Sequence, residues 1–383
     1  MVSDPPLLAA AIAAITALAF WLDVRFRWAR TVGATMLVIL FGAVLSNLGL
    51  VPFASPVYDA ITGPVTSLAI VWLLFAVDVR GLRDAGLGML LGFLIAVLAT
   101  AVAAVIAALL FAGSFDGDVW KLAGVMTGTY AGGSLNFVAV GRELDVPPAL
   151  FTAATASDNV MTAVWFAVTL SAAGWLGRWY PAPGHDHPRT RAGDPVDDAD
   201  PHADHPFFSA APLRVLDITL LLALGFALVW AADRITMEVP GVPSILWLTT
   251  LSLAVGHTPW VRRLDGAMHL GSLGLHFFLA IIGIASRVSE IARVGPEVFW
   301  FTALVVGIHG LLTFGGARLA RIDIQTASVA SQAAVGGPSS ALALAVARDW
   351  KALVLPGVVV GLLGYAVGNY VGLAVAYLVR GWL

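Results

Sequence analysis

Long apolar runs separated by short polar breaks dominate this chain. They lie near residues 5–22, 31–50, 57–78, 85–112, 120–141 and 148–177, and again near 213–232, 243–256, 267–286, 297–317, 324–347 and 352–379. About 20 residues of helix cross the roughly 30 Å hydrocarbon core of a bilayer. Lipid offers the backbone no hydrogen-bonding partner, so a spanning segment is a helix or part of a closed barrel. Barrel strands alternate apolar and polar positions. These runs are continuous, so the pattern predicts an all-α polytopic membrane protein of about 12 transmembrane helices. The short run at 243–256 is expected to be tilted, re-entrant or wrongly bounded.

One long polar stretch interrupts the pattern. It holds His185, His187, His202 and His205 among several aspartates, arginines and prolines. Such a composition buries no core and reads as a solvated linker rather than a metal site. The expected organisation is a first transmembrane repeat at 1–178, a linker at 179–211 and a second repeat at 212–383. The halves look alike: Gly132-Gly133 and Gly336-Gly337 each sit in the fifth run of their half, and Arg142 and Arg348 close those runs. An internal duplication with a discontinuous helix in each repeat is a usual build of secondary transporters.

Charge orients the chain without settling the symmetry. Arg25, Arg27 and Arg30 follow the first run, and Arg80 and Arg83 the third, which places both loops in the cytoplasm and the N-terminus outside. The first run precedes these cations and has no basic segment before it, so it reads as a retained span rather than a cleaved signal. Six crossings per half would make the repeats parallel. Arg262, Arg263, Arg318 and Arg321 favour inversion, while Arg287, Arg293, Arg348 and Lys351 oppose it.

Composition agrees with the pattern. Hydrophobic residues make up 59% and charged residues 12%, about half the charge usual in a soluble domain, and mean hydropathy is +0.88. The net charge of −3 offers no basic surface for nucleic acid, and the absence of cysteine excludes disulfides and thiolate chemistry. The scattered tryptophans are expected at the membrane interfaces, and Asp78 with Arg80 in an interfacial turn.

Candidate chemistry concentrates in three places. Around the first glycine pair, Gly128, Thr129, Gly132, Gly133, Ser134 and Asn136 spread around the helix instead of forming one small-residue stripe, which points to a break, and Tyr130 is a further candidate in the same segment. The second segment carries Ser331, Gln332, Gly336, Gly337, Pro338, Ser339 and Ser340; proline after two glycines removes a backbone donor and crowds the preceding turn. Unwound backbone and half-helix ends at mid-membrane can hold ions and polar solutes. Asp158-Asn159 lies at the centre of the sixth run, where a carboxylate costs about 3 kcal/mol and so faces a cavity or an ion path. A carboxyl group there can trade a proton for a cation. His309, mid-span in the tenth run, is read as a proton relay or as an interhelical hydrogen bond, and His269 and His276 as packing residues.

The stretch Gly128-Thr129-Tyr130-Ala131-Gly132-Gly133-Ser134-Leu135-Asn136-Phe137, with Ser331-Gln332-Ala333-Ala334-Val335-Gly336-Gly337-Pro338 and Leu363-Gly364-Tyr365-Ala366-Val367-Gly368, resembles the YjcL-like family of bacterial and plant membrane proteins over nearly the whole chain. More distantly, Leu74-Phe75-Ala76-Val77-Asp78-Val79-Arg80 and the Asp158-Asn159 pair are similar to the sodium/proton antiporter and bile-acid symporter superfamily. That resemblance implies two broken helices crossing at mid-membrane, an acidic residue on the next helix that binds the coupling ion, and a homodimer. The expected function is ion-coupled secondary transport of a small polar solute in the bacterial cytoplasmic membrane, with Na+ or H+ as coupling ion and no resident cofactor or metal. The alternative is a cation/proton antiporter with no organic substrate. An intramembrane enzyme using Thr129, Ser134 or Ser340 with His309 as base is disfavoured, because nothing in the spacing brings them together. No phosphate-cradling ATP loop occurs.

Overall fold

The computed structural model describes residues 4–75, 77, 85–182, 213–239 and 241–383. Residues 183–212 of the polar linker, with its histidines, and the turn expected at Asp78 and Arg80 lie outside the described residues. Among the described residues every regular element is a helix. The first half contains α1 (Pro5–Arg25), α2 (Arg27–Val32), α3 (Ala34–Asn47), α4 (Pro56–Phe75), α5 (Leu87–Leu110), α6 (Val119–Gly132), α7 (Ser134–Glu143) and α8 (Pro148–Leu176). The second contains α9 (Val215–Glu238), α10 (Ser244–Gly256), α11 (Ala267–Ala285), α12 (Val288–Leu319), α13 (Ile324–Ala347) and α14 (Lys351–Arg380).

The helices bury small residues and expose large ones. On α5, Leu87, Leu91, Leu94, Leu98 and Val102 face outward, whereas Ala96, Thr100, Ala103 and Ala107 are buried. Lipid tails solvate leucine as well as a protein core does, so close backbone approach decides which face turns inward. Packing sorts the helices into two groups. The scaffold comprises α1, α3 and α4 from the first half with α9, α10 and α11 from the second. The core comprises α5 to α8 with α12 to α14.

Contacts along the helices give their directions. On α11, Gly271 packs on Leu73 and Gly274 on Val65 and Ala69, so α11 runs against α4. On α12, Gly316 meets Ile95, His309 meets Thr100 and Phe301 meets Phe111, so α12 runs against α5. The short α10 starts beside Ser67 and ends against Phe75, following α4 across the same depth.

The glycine-pair segments are broken, but they do not cross. After Gly133, α7 turns back along α6: Gly141 packs near Val125, Gly124 near Leu144, and Lys121 Nζ donates to the Asp145 carbonyl at 3.0 Å. The second segment reverses at Gly337, because Val329 and Ala341, twelve positions apart, both pack on Gly357. Each run is therefore a re-entrant helical hairpin. Of the nine helices among the described residues that are long and apolar enough to span, α13 is the one that folds back; the shorter α3 and α10 complete the crossing set.

The second hairpin removes part of the conflict in the charge pattern, that of Arg348 and Lys351, while Arg287 and Arg293 stay opposed to the pattern. Arg348 and Lys351 return to the end at which α13 began, together with Arg25, Arg27, Arg178, Arg214, Arg262, Arg263, Arg318 and Arg321. Lys121, Arg142, Arg234, Arg287, Arg293 and Arg380 lie at the other end. By the positive-inside rule the first end is cytoplasmic. The first hairpin enters from outside and the second from the cytoplasm, so α5, hairpin and α8 run opposite to α12, hairpin and α14. Exposed Trp21, Trp28, Trp175, Trp179 and Trp260 ring the cytoplasmic end, and Trp230, Trp300 and Trp382 the outer end.

Candidate functional site

The hairpin tips meet. Gly133 has φ 86° and ψ −176°, and Gly337 has φ 74° and ψ −167°. This combination is essentially open to glycine alone. A Cβ on Gly133 would lie 3.7 Å from Gly337 Cα and 3.4 Å from the Tyr365 ring, so the two turns touch under one aromatic cover. Pro338 opens the second arm, where its missing N–H leaves no unpaired donor. Gly133→Ala and Gly337→Ala are each expected to lower unfolding free energy by about 1–3 kcal/mol through backbone strain, since neither added Cβ meets a hard clash. A thermal midpoint unchanged from wild type would contradict this.

The last helix seats both hairpins. Gly357, Gly361, Gly364, Gly368 and Gly372 share one face of α14. Gly357 and Gly361 receive the second hairpin at Val329 and Pro338; Gly364, Gly368 and Gly372 receive the first at Gly132, Gly128 and Gly124. The Asn136 amide donates to the Gly364 carbonyl at 3.0 Å.

One face of α8 touches both hairpins. Asp158, Thr162, Trp165 and Thr169 recur at helical spacing on it. The Asp158 carboxylate lies with the hydroxyls of Thr129 and Tyr130 in the last turn of α6, and accepts from Thr162 at 3.3 Å. Further along, Trp165 Nε1 donates to Ser331 Oγ at 3.0 Å and Thr169 Oγ1 to Gln332 Oε1 at 3.1 Å. Among the described residues, the buried Asn136 Oδ1, Asn159 Nδ2 and Gln332 Nε2 have no hydrogen-bond partner, while the Tyr130 hydroxyl is turned to Asp158. An unsatisfied buried polar group costs about 1–3 kcal/mol, so a cluster of them calls for a ligand, an ion or water.

His309 is fully buried between the hairpins. Its Nδ1 lies 2.8 Å from Thr100 Oγ1 and its Nε2 2.9 Å from Ser331 Oγ. Thr100 Oγ1 also lies 3.0 Å from the carbonyl oxygens of Ala96 and Tyr130, with a single proton to give. With that proton on one of the carbonyls, a neutral imidazole donates from Nδ1 and accepts at Nε2 from Ser331; with it on Nδ1, the ring donates from Nε2. Its nitrogens face Thr100 and Ser331, not the hydroxyls of Thr129, Ser134 or Ser340.

The expected site residues divide into two sets. Thr129, Tyr130, Gly132, Gly133, Asn136, Asp158, Ser331, Gln332, Gly337 and Pro338 converge, with Gly336 packed against Ser340 at the second tip. Ser134 and Ser339 are exposed at the tips and stand outside this cluster, and Asn159, half-buried, follows Asp158 on α8. Sequence reasoning missed Thr100, Trp165, Thr169 and Tyr365. Trp165 is not an interfacial tryptophan: it is buried at mid-span and donates to Ser331, and its depth in the run is the signal for this. His276 packs its ring on Phe20 at 4.5 Å, as a packing residue does.

Two comparisons bear on identity. The family described as "Protein of unknown function (DUF819)" matches residues 10–381. "Uncharacterized membrane protein YjcL" of Bacillus subtilis (strain 168) is 28% identical over 376 residues, covering 94% of this chain and 93% of that protein. The family match spans nearly the whole sequence, so the chain belongs to that family and is an integral membrane protein of helical, polytopic build.

Proposed function

With membership of that family as the premise, we propose that this protein is an ion-coupled secondary transporter of a small polar solute, binding at the two hairpin tips with Asp158 as the coupling group. The observation that carries this reading is the meeting of Gly133 and Gly337 beside a carboxylate and three buried polar atoms that have no partner among the described residues. A structural core gains nothing from such a cluster, whereas a site that alternately binds and releases a polar ligand must leave its partners unpaired when empty. The opposed directions of the two core triads support alternating access by rocking or sliding of one helix group against the other. The layout is similar to that of the sodium/proton antiporter and bile-acid symporter superfamily, and a duplication of the two halves is part of the same reading.

A cation/proton antiporter without organic substrate is the second reading. It draws on the hydroxyls of Thr129, Tyr130 and Thr162 around Asp158, an all-oxygen set suited to sodium. His309 is read as a clamp joining the hairpins rather than a relay, since both ring nitrogens are engaged. Reconstitution separates these alternatives. Proteoliposomes loaded with a pH-sensitive dye and tracer sodium are expected to show ion flux only when a transported solute is supplied. Solute-independent sodium/proton exchange would replace the first reading with the second. Flux equal to empty liposomes with every ion and solute tried would reject both.

A further inference from the structure

We propose that the outer root of the first hairpin and the scaffold together form a binding pocket for a small dipolar solute carrying both an ammonium and a carboxylate group. A cavity of about 460 Å³ lies there, between the end of α7 and helices α4, α9 and α10. Small-molecule sites occupy this size range. Arg142 reaches across to the scaffold, donating from Nη1 to Ser67 Oγ at 2.6 Å. Among the described residues that is its one hydrogen bond, which leaves further guanidinium donors for a ligand. Glu143 accepts from the Ile245 amide in the first turn of α10. Asp233 of α9 lines the same cavity and lies within Coulombic range of Arg142 and Glu143.

The charge arrangement selects the ligand class. One guanidinium stands among two carboxylates. A simple anion that reaches Arg142 meets repulsion from both carboxylates, and a simple cation meets Arg142. A solute with both charges places its carboxylate on the guanidinium, displacing Ser67, and its ammonium between Glu143 and Asp233. Val229 and Leu248 supply an apolar wall for an aliphatic portion. Among the described residues no group of three His, Cys, Asp or Glu side chains could hold a metal ion, so a divalent cation is the poorer fit.

This pocket deepens the transport reading, and rests on it for its role. Helix α7 runs from Ser134 beside the tip to Glu143, 10 residues or roughly 15 Å at 1.5 Å per residue. A solute held at the root is thus at the outer end of the helix that frames the tip site, and it binds both the hairpin and the scaffold against which that hairpin would move.

The chain has no cysteine, so Ser244→Cys places a single reporter on the cavity wall of the full-length protein in detergent. Its rate of modification by N-ethylmaleimide is measured with glycine, L-leucine and L-phenylalanine, and with the one-charge isosteres of leucine, 4-methylpentanoate and 3-methylbutylamine. At least one amino acid is expected to slow labelling about tenfold at saturation, and neither isostere to do so. Arg142→Gln is expected to abolish the protection, and Asp233→Asn, at an exposed position where folding is undisturbed, to weaken it about tenfold. Absence of protection by all three amino acids, equal protection by an isostere, or protection that survives both substitutions would overturn the proposal. Adding Asp158→Asn is expected to leave protection intact. Protection in a protein that shows no flux would reject the transport reading while leaving the pocket standing.

Discussion

Asp158→Asn is expected to lower ion-driven flux in proteoliposomes about 100-fold, equivalent to about 2.7 kcal/mol, while the protein stays folded. The side chain keeps its shape but can no longer exchange a proton for a cation. Its new amide also adds a donor beside the hydroxyls of Thr129, Tyr130 and Thr162, so the local hydrogen-bond polarity is reversed. Stability is expected to hold or rise, because a neutral amide is cheaper to bury than a carboxylate. Gel filtration and the thermal midpoint check the fold, and tracer flux checks the function. Wild-type flux in a well-folded Asp158→Asn protein would remove this residue from the mechanism. Thr162→Ala offers a graded companion, since it removes one hydrogen bond at 3.3 Å and leaves the charge.

Gly364→Ala is expected to destabilise the protein by about 3 kcal/mol, a cost in the range of overpacking a tight core. The added Cβ would stand 2.7 Å from Gly132 Cα and 2.9 Å from the Ala131 carbonyl oxygen. Both are backbone atoms of the first hairpin, so no side-chain rotation relieves the contact and the hairpin must lift off α14. Gly307→Ala provides the control. It lies inside α12 with nothing within 4 Å of its Cβ position, and is expected to be neutral or to stabilise by up to about 1 kcal/mol through helix propensity. Thermal midpoints in detergent compare the two. If Gly364→Ala were as stable as Gly307→Ala, the close seating of the hairpin on α14 would be refuted. Because the tip moves with the hairpin, flux is expected to fall with stability in Gly364→Ala but not in Gly307→Ala.

Several features could be read before any tertiary contact was known. The continuous apolar runs required helices in lipid, since no other element satisfies its backbone there and continuous runs do not suit a barrel. The glycine pairs at 132–133 and 336–337 marked interruptions, because glycine and proline weaken a helix whatever surrounds it. Asp158 was conspicuous for its cost at mid-span. All three signals are local: each depends on the chemistry of a residue and its near neighbours along the chain.

The path of the chain after each interruption was not legible, and that path determines the topology. A break at Gly133 is compatible with a helix that continues across the membrane and with one that returns. The choice rests on Gly364, Gly368 and Gly372 of α14, more than two hundred residues away, which offer both arms of the first hairpin a surface on which to pack. Counting runs therefore left inversion undecided, whereas two returning runs reconcile Arg348 and Lys351 with the other cytoplasmic cations. The same reason hid Thr100, Trp165 and Thr169. Each has an ordinary alternative place in an apolar helix, and only the convergence of α5, α8, α12 and α13 brings them to His309, Ser331 and Gln332. What the sequence determined alone was the solvent the chain folds in and where its helices are weak. The tertiary structure decided how those weak points are turned toward one another, because long-range backbone packing in lipid depends on matching surfaces that no local pattern encodes.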